Sequence, residues 1–256
     1  MKHDQEVRYS RQMILPGVGK AGQEKLLNAK VLVIGAGGLG SPLLLYLAAA
    51  GIGTIGIIDD DRVELHNLQR QIIHETASVG DAKVDSARES LIDLNPEIKI
   101  HCHQKRLTES NAYDIIKEYD IVADGSDNFM TRFLVNDKCY KLKKTLVSAA
   151  ILRFEGQLST FRAHEVEENL PCYRCIYPDV PPEGTAPRCS EAGILGSVAG
   201  VMGCWQATEV LKEILGVGKS LAGSLLVFDA LSAASRTIAV SPDPECQCCG
   251  VDHKAI

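Results

Sequence analysis

The chain has 256 residues, 45% of them hydrophobic and 23% charged, ordinary values for a soluble globular protein with one sizeable core. A formal net charge of -6 argues against a general nucleic-acid binder, which would be basic, and no apolar run reaches the ~20 residues that span a bilayer. Residues 1–10 lack the apolar core of a signal peptide, so the expectation is a cytoplasmic protein with neither nucleic acid nor membrane as partner, whose nine cysteines serve as thiols or metal ligands.

Residues 1–28 have a helix-forming composition interrupted by Gly17, Gly19 and Gly22. The apolar run 30–34 reads as a buried parallel strand, a glycine-rich stretch follows at 35–40, and the Leu/Ala-rich 41–50 reads as a helix. A second strand, 54–58, ends on Asp59, Asp60 and Asp61. A helix over 81–95 stops at Pro96, a strand covers 98–103, and Thr108 is placed to cap a helix over 108–119. The short strand 121–123 runs into Asp124, Gly125, Ser126 and Asp127, and a helix over 129–143 leads to a strand at 145–149. This alternation predicts an α/β fold, a Rossmann-like doubly wound and mostly parallel sheet.

From about residue 151 the rhythm changes. An antiparallel strand at 157–162, a Pro/Gly-rich loop at 178–187 and a long helix at 191–215 precede strands at 224–228 and 236–240 and a Cys-rich tail. Gly193, Gly196, Gly200 and Gly203 weaken that helix but permit close packing, within the fold or between subunits. The chain is thus read as a single domain, 1–256, with a helical segment at 1–28, a nucleotide-binding core at 29–150 and a continuation at 151–256.

Four constellations carry chemistry. Gly35-x-Gly37-x-x-Gly40 lies after a strand and before a helix, where backbone N–H groups and a helix N-terminus receive phosphate. Asp59 lies 19 residues past Gly40, where such folds hold a ribose hydroxyl; this much fits NAD as well as ATP, so an NAD-dependent oxidoreductase is the rival enzyme. Arg70, Lys83 and Arg11 are cations that can converge on a triphosphate, whose leaving pyrophosphate gathers charge; the plain alternative for any one of them is a solvated surface cation. Asp127 and Asn128 follow the fourth strand, and a carboxylate there suits Mg²⁺, or else Asp or Ser merely caps the next helix. Cys172-x-x-Cys175 and Cys246-x-x-Cys249 suit tetrahedral zinc, with a redox pair as the alternative and Cys248 as an extra thiol. Cys189, beside Arg188 in the Pro/Gly-rich loop, is a candidate reactive thiol, whereas Cys102, Cys139 and Cys204 read as apolar fillers.

In order and spacing these segments resemble the MoeB/ThiF adenylyltransferases, relatives of the ubiquitin-activating enzymes, over essentially the whole chain. The matching stretches include 8–12, the glycine loop at 35–40, 59–61, 67–71, Lys83, 124–128, Cys172 to Cys175, 189–193 and Cys246 to Cys249. The resemblance implies a homodimer that binds ATP on Gly35, Gly37, Gly38 and Gly40, with Asp59 and Asp61 near the ribose. His66, Asn67, Leu68, Gln69, Arg70 and Lys83 would border the phosphates, Asp127 with Asn128 would lie at the Mg²⁺, and Arg11 would come from the neighbouring subunit. It implies adenylation of the C-terminal glycine carboxylate of a MoaD-like or ThiS-like sulfur carrier, bound by the 151–256 part, with Cys189 as a candidate covalent thiol. Zn²⁺ would sit on the four knuckle cysteines, and sulfur would come from a separate donor protein. A catalytically silent scaffold that binds a ubiquitin-like protein is the reading from another class; it would have lost Arg11, Arg70, Lys83 or Asp127, and all four are present.

Overall fold

A computed structural model describes residues 1–180 and 193–250. The Cys189 loop, and with it the start of the helix predicted at 191, lies outside the described residues.

Eight strands form one sheet in the order β3-β2-β1-β4-β5-β6-β7-β8. β1 (Lys30–Ile34), β2 (Thr54–Ile58), β3 (Lys99–His103), β4 (Ile121–Asp124) and the first half of β5 (Thr145–Leu152) pair in parallel. β5 then turns back into β6 (Glu155–Phe161), which starts an antiparallel wing completed by β7 (Ser224–Asp229) and β8 (Ala234–Ala239). The sheet is therefore doubly wound and parallel through β5 and antiparallel beyond it, as expected.

Strand side chains alternate between two apolar layers, as a period of two requires. Val31 and Val33 of β1 face a core built with α3 (Gly19–Asn28), α4 (Gly40–Ala50), α5 (Lys83–Leu94) and α9 (Gly196–Leu215). Leu32 and Ile34 face a second core built with α6 (Glu109–Ile116) and α7 (Phe129–Leu142). α4 is apolar almost all round because it lies between the sheet and α9; Leu43, Leu44 and Leu47 are fully buried. At the N-terminus α1 (His3–Arg8) and α2 (Ser10–Met13) precede α3.

Several boundaries differ from expectation by a few residues, two of them with a clear cause. The strand predicted at 145–149 continues to Leu152, because Ala150, Ile151 and Leu152 pair with Gln157, Gly156 and Glu155. The helix predicted from 191 begins at Gly196, since Ile194 bridges Arg153 and Leu195 keeps an extended backbone. Two of the helix's predicted close approaches are intramolecular: a Cβ at Gly203 would lie 2.5 Å from the Leu39 carbonyl oxygen, and one at Gly196 2.3 Å from that of Gln69. No helix among the described residues is long and apolar enough to cross a membrane.

Candidate active site and cysteine cluster

Ligand sites in open α/β sheets lie beyond the carboxyl ends of the strands. Here a cleft of about 370 Å³ runs along those ends from Lys105 and Arg106 after β3 to Ile151 in β5. Its floor is the glycine loop. Gly35 has φ +91°, a conformation that favours glycine, and a Cβ at Gly40 would lie 1.9 Å from the Gly35 carbonyl oxygen. Ser41, opening α4, donates through N and Oγ to the Gly37 carbonyl, at 2.9 and 2.7 Å. Gly40→Ala is accordingly expected to distort the loop, costing about 1–3 kcal/mol of stability and measurably weakening nucleotide binding; a thermal melt and an ATP titration of the variant check both.

Asp59 stands at the carboxyl end of β2, and its two oxygens accept from the backbone N–H groups of Ala36 and Asp61, at 2.8 and 2.9 Å. Burial pushes its carboxyl up, opposed chiefly by the positive charge of Lys83. Lys83 is 6% exposed and donates to Asp61 at 2.8 Å. Arg70 lies across Gly38 and donates to the His66 carbonyl at 3.1 Å. Gly35, Gly37, Gly38, Asp59, Asp61, Arg70, Lys83, Asp127 and Asn128 thus border one cleft.

The remaining predicted residues sit elsewhere. Asn67 is buried and accepts the Glu64 N–H, which closes the turn that carries Arg70. His66 pairs with Glu64 at 3.1 Å, and Leu68 and Gln69 are likewise not lining residues. Arg11 is exposed on α2; its neighbour Gln12 donates to Gln23 and to the Ala50 carbonyl, at the far end of α4 from the glycine loop. At 1.5 Å per residue that end is roughly 15 Å away.

The 124–128 turn separates its two readings. Asn128, not Asp or Ser, caps α7, its Oδ1 accepting the Thr131 N–H at 2.9 Å. Asp127 is exposed at the cleft and its carboxylate makes no cap bond. Asp124 is fully buried, and burial pushes its carboxyl up against the opposing charge of Arg132. Gln206 of α9 donates to the Asp124 and Val147 carbonyls at 2.9 and 3.0 Å, tying the end of β4 to β5.

Composition and spacing overlooked Arg132 and His74, and gave Ser126 and Gln71, within the 124–128 and 67–71 stretches, no role of their own. All but His74 line the cleft and each keeps a buried polar atom without a partner: Arg132 Nε, Ser126 Oγ and Gln71 Oε1. Orphaned groups are costly, and three around one cavity mark a ligand's place. His74 lies behind the glycine loop, 2.9 Å from the Ala36 carbonyl and 2.9 Å from Ser86 Oγ. Burial lowers its pKa, so between the unfolded value near 6.5 and the lower folded value only the unfolded chain binds the proton. Stability is therefore expected to fall as pH drops through that window. His74→Asn should flatten that slope in urea titrations between about pH 5 and 7, and an unchanged slope would remove His74 from the effect.

The cysteines form a second site. The sulfurs of Cys172, Cys175, Cys246 and Cys249 lie within 4.8 Å of one another, with Cys172 to Cys246 at 3.6 Å and Cys175 to Cys249 at 3.5 Å. Tetrahedral thiolate ligation with bonds of ~2.3 Å requires sulfurs about 3.8 Å apart, so the group fits a metal ion. The amides of Asp243 and Cys248 donate to the sulfurs of Cys175 and Cys246, at 3.4 and 3.5 Å. Cys248 stays outside the four, its sulfur 3.5 Å from Asn136 Nδ2. The knuckle docks on α7: Asn136 accepts the Tyr173 N–H at 2.8 Å, and Arg174 makes two 2.8 Å bonds to Asp137. Of the other thiols, Cys139 is buried and Cys102 and Cys204 are half-buried.

Known proteins resemble this chain over most of its length. The chain is 49% identical over 244 residues to the sulfur carrier protein adenylyltransferase of Thermus thermophilus, an alignment covering 95% of this chain and 90% of that protein. It is 51% identical to the probable adenylyltransferase/sulfurtransferase MoeZ of Mycobacterium tuberculosis and 49% identical to the adenylyltransferase and sulfurtransferase MOCS3-2 of Zea mays. Those alignments cover 95% and 96% of this chain but 62% and 51% of the relatives. Among solved structures, E. coli MccB with MccA-N7isoASN superposes with a TM-score of 0.81 at 24% identity, over 96% of this chain and 74% of that one, which shows a shared fold. The ThiF family model matches residues 9–248, and the chain belongs to the ThiF family.

Proposed function

We propose that the protein adenylates the C-terminal carboxylate of a small ubiquitin-like sulfur carrier, using ATP and releasing pyrophosphate. The observation that carries this is the grouping in one cleft of a glycine loop, two cations on its rim, Arg70 and Lys83, and the exposed carboxylate of Asp127. A hydride transfer needs no such arrangement, since it expels no phosphate. Relatives named for adenylyl transfer to sulfur carriers support the same reading.

The ribose lies by Asp59, whose carboxylate is held open by two backbone N–H groups, and the phosphates lie over Gly37 and Gly38 between Arg70 and Lys83. Asp127 would hold Mg²⁺, which when bound offsets charge on the phosphates. A carboxylate oxygen forms the bond to the α-phosphorus while the bond to pyrophosphate breaks. The nucleophile is already ionised at neutral pH, so no general base is needed and catalysis consists of alignment and charge neutralisation. Zn²⁺ on the four cysteines would pin the 241–250 tail to α7 and α8 (Tyr173–Ile176). The acceptor is a MoaD-like or ThiS-like carrier engaged by the 151–256 part, and a separate protein donates the sulfur.

Arg11 serves the partner's site in a homodimer, because its neighbour Gln12 fixes this part of α2 at the far end of α4 from its own chain's glycine loop. Mixing inactive Arg11→Ala and Asp127→Ala proteins is then expected to restore about a quarter of wild-type activity, since half the dimers are mixed and each has one intact site. No restoration would place Arg11 outside the mechanism. For the reaction itself, intact mass spectrometry of the carrier incubated with ATP and the protein tests the proposal: an AMP adduct at the carrier C-terminus supports it, and an unmodified carrier contradicts it.

A further inference from the structure

Arg132 is an unusual residue for the position it holds. It is 8% exposed in the first turn of α7, donates from Nη2 to the Ser126 carbonyl at 2.8 Å and stacks 5.6 Å from the Phe129 ring. Among the described residues no carboxylate forms an ion pair with it, although its charge bears on the buried Asp124, and its Nε–H has no acceptor although it lines the cleft. A buried guanidinium left with an unused donor is poised for an oxyanion.

The direction of the reaction says which one. Arg70 comes from the segment between β2 and α5 and Lys83 opens α5; Ile73 of that segment and Val84 of α5 pack into the α4/α5/α9 core. Arg132 belongs to α7, whose Phe133 and Val135 pack into the core on the other face of the sheet. The cations that draw off pyrophosphate and Arg132 therefore stand on opposite walls. Displacement at phosphorus runs in line, with the attacking and leaving oxygens on opposite sides. The wall opposite Arg70 and Lys83 is where the nucleophile must wait, beside the β5 end of the cleft at Ile151. A carboxylate approaching a polyphosphate is repelled unless a cation offsets it.

We propose that Arg132 is the receptor for the acceptor's free C-terminal carboxylate, holding it on the α7 wall in line with the α-phosphate. The inference rests on the adenylation reading above. One carboxylate oxygen stays on the guanidinium while the other forms the P–O bond; pyrophosphate leaves with the electron pair of the bond that breaks, and no proton moves.

The test is a binding cycle at saturating non-hydrolysable ATP analogue. A ubiquitin-like carrier ending in Gly-Gly is compared with its C-terminal carboxamide, on wild type and on Arg132→Gln. Wild type should prefer the carboxylate by about tenfold or more, and Arg132→Gln by less than about twofold, with affinity for the amide and for the ATP analogue unchanged. A merely structural role would weaken both carrier forms alike and leave their ratio intact, which overturns the proposal. Loss of analogue affinity with an intact ratio would assign Arg132 to a nucleotide phosphate and overturn it too, as would equal binding of the two forms by wild type. If wild type binds neither form, the adenylation reading itself fails. Should Arg132→Gln not fold, Arg132→Met serves: it keeps an unbranched stem beside Phe129 but neither charge nor donor, so an undiminished preference there also overturns the assignment.

Discussion

Asp127→Ala is expected to lower the adenylation rate at least about a hundredfold, the scale seen when an electrostatic group is removed from a developing charge, while leaving the fold intact. The two halves of that expectation have separate causes. Asp127 is exposed at the mouth of the cleft, and Asn128 supplies the helix cap, so α7 keeps its N-terminal hydrogen bond when the carboxylate is lost. Stability should change by no more than about 0.5 kcal/mol, as for surface substitutions away from caps and cores. The same substitution at Asp124, three residues earlier, would act in the opposite way. That carboxylate is buried and accepts the Ser126 N–H at 3.0 Å, so its loss should unfold the turn rather than spare it. Rates and thermal melts of both variants check the contrast, and full activity in Asp127→Ala would remove Asp127 from the mechanism.

Cys172→Ser has the second large effect, on stability. Structural zinc in zinc-finger peptides contributes apparent binding free energies of ~10–16 kcal/mol, comparable with the ~5–15 kcal/mol net stability of a whole domain. In this chain Cys172 and its three partners, with Ala163, form a small core of their own. Loss of one ligand should release the metal, free the 241–250 segment and lower the melting temperature by about 10 °C or more. Because the knuckle bonds to α7 through Asn136 and Arg174, activity should fall with it. Metal analysis of native and variant protein, alongside a thermal scan, decides the matter; native protein without zinc would refute the assignment.

The parallel half of the fold was legible because its signals are local. Apolar runs such as 30–34 and 54–58, punctuated by glycine and aspartate, give strand, turn and helix in order, and the cation and cysteine spacings narrow the chemistry. The start of α9 was less legible: the ten residues before Gly196 carry no sharp helix signal, and the Ile194 bridge that delays the helix depends on Arg153, 41 positions away. Arg132 was missed for a related reason. In sequence it is one of several cations on a polar helix, and only the turn back to Ser126 shows it to be buried. Its place in the first turn after the 124–128 loop was the available clue, since that turn must face the carboxyl end of the sheet. His74 gave no local signal at all, because its partner Ala36 lies in the glycine loop, 38 positions earlier.

The central claim, carboxylate adenylation, is tested most directly by carrier-dependent exchange of labelled pyrophosphate into ATP, with MoaD-like and ThiS-like carriers assayed separately. The account predicts exchange that requires a carrier with a free C-terminal glycine and vanishes in Asp127→Ala. Absence of exchange with either carrier, in folded and zinc-loaded protein, would contradict it.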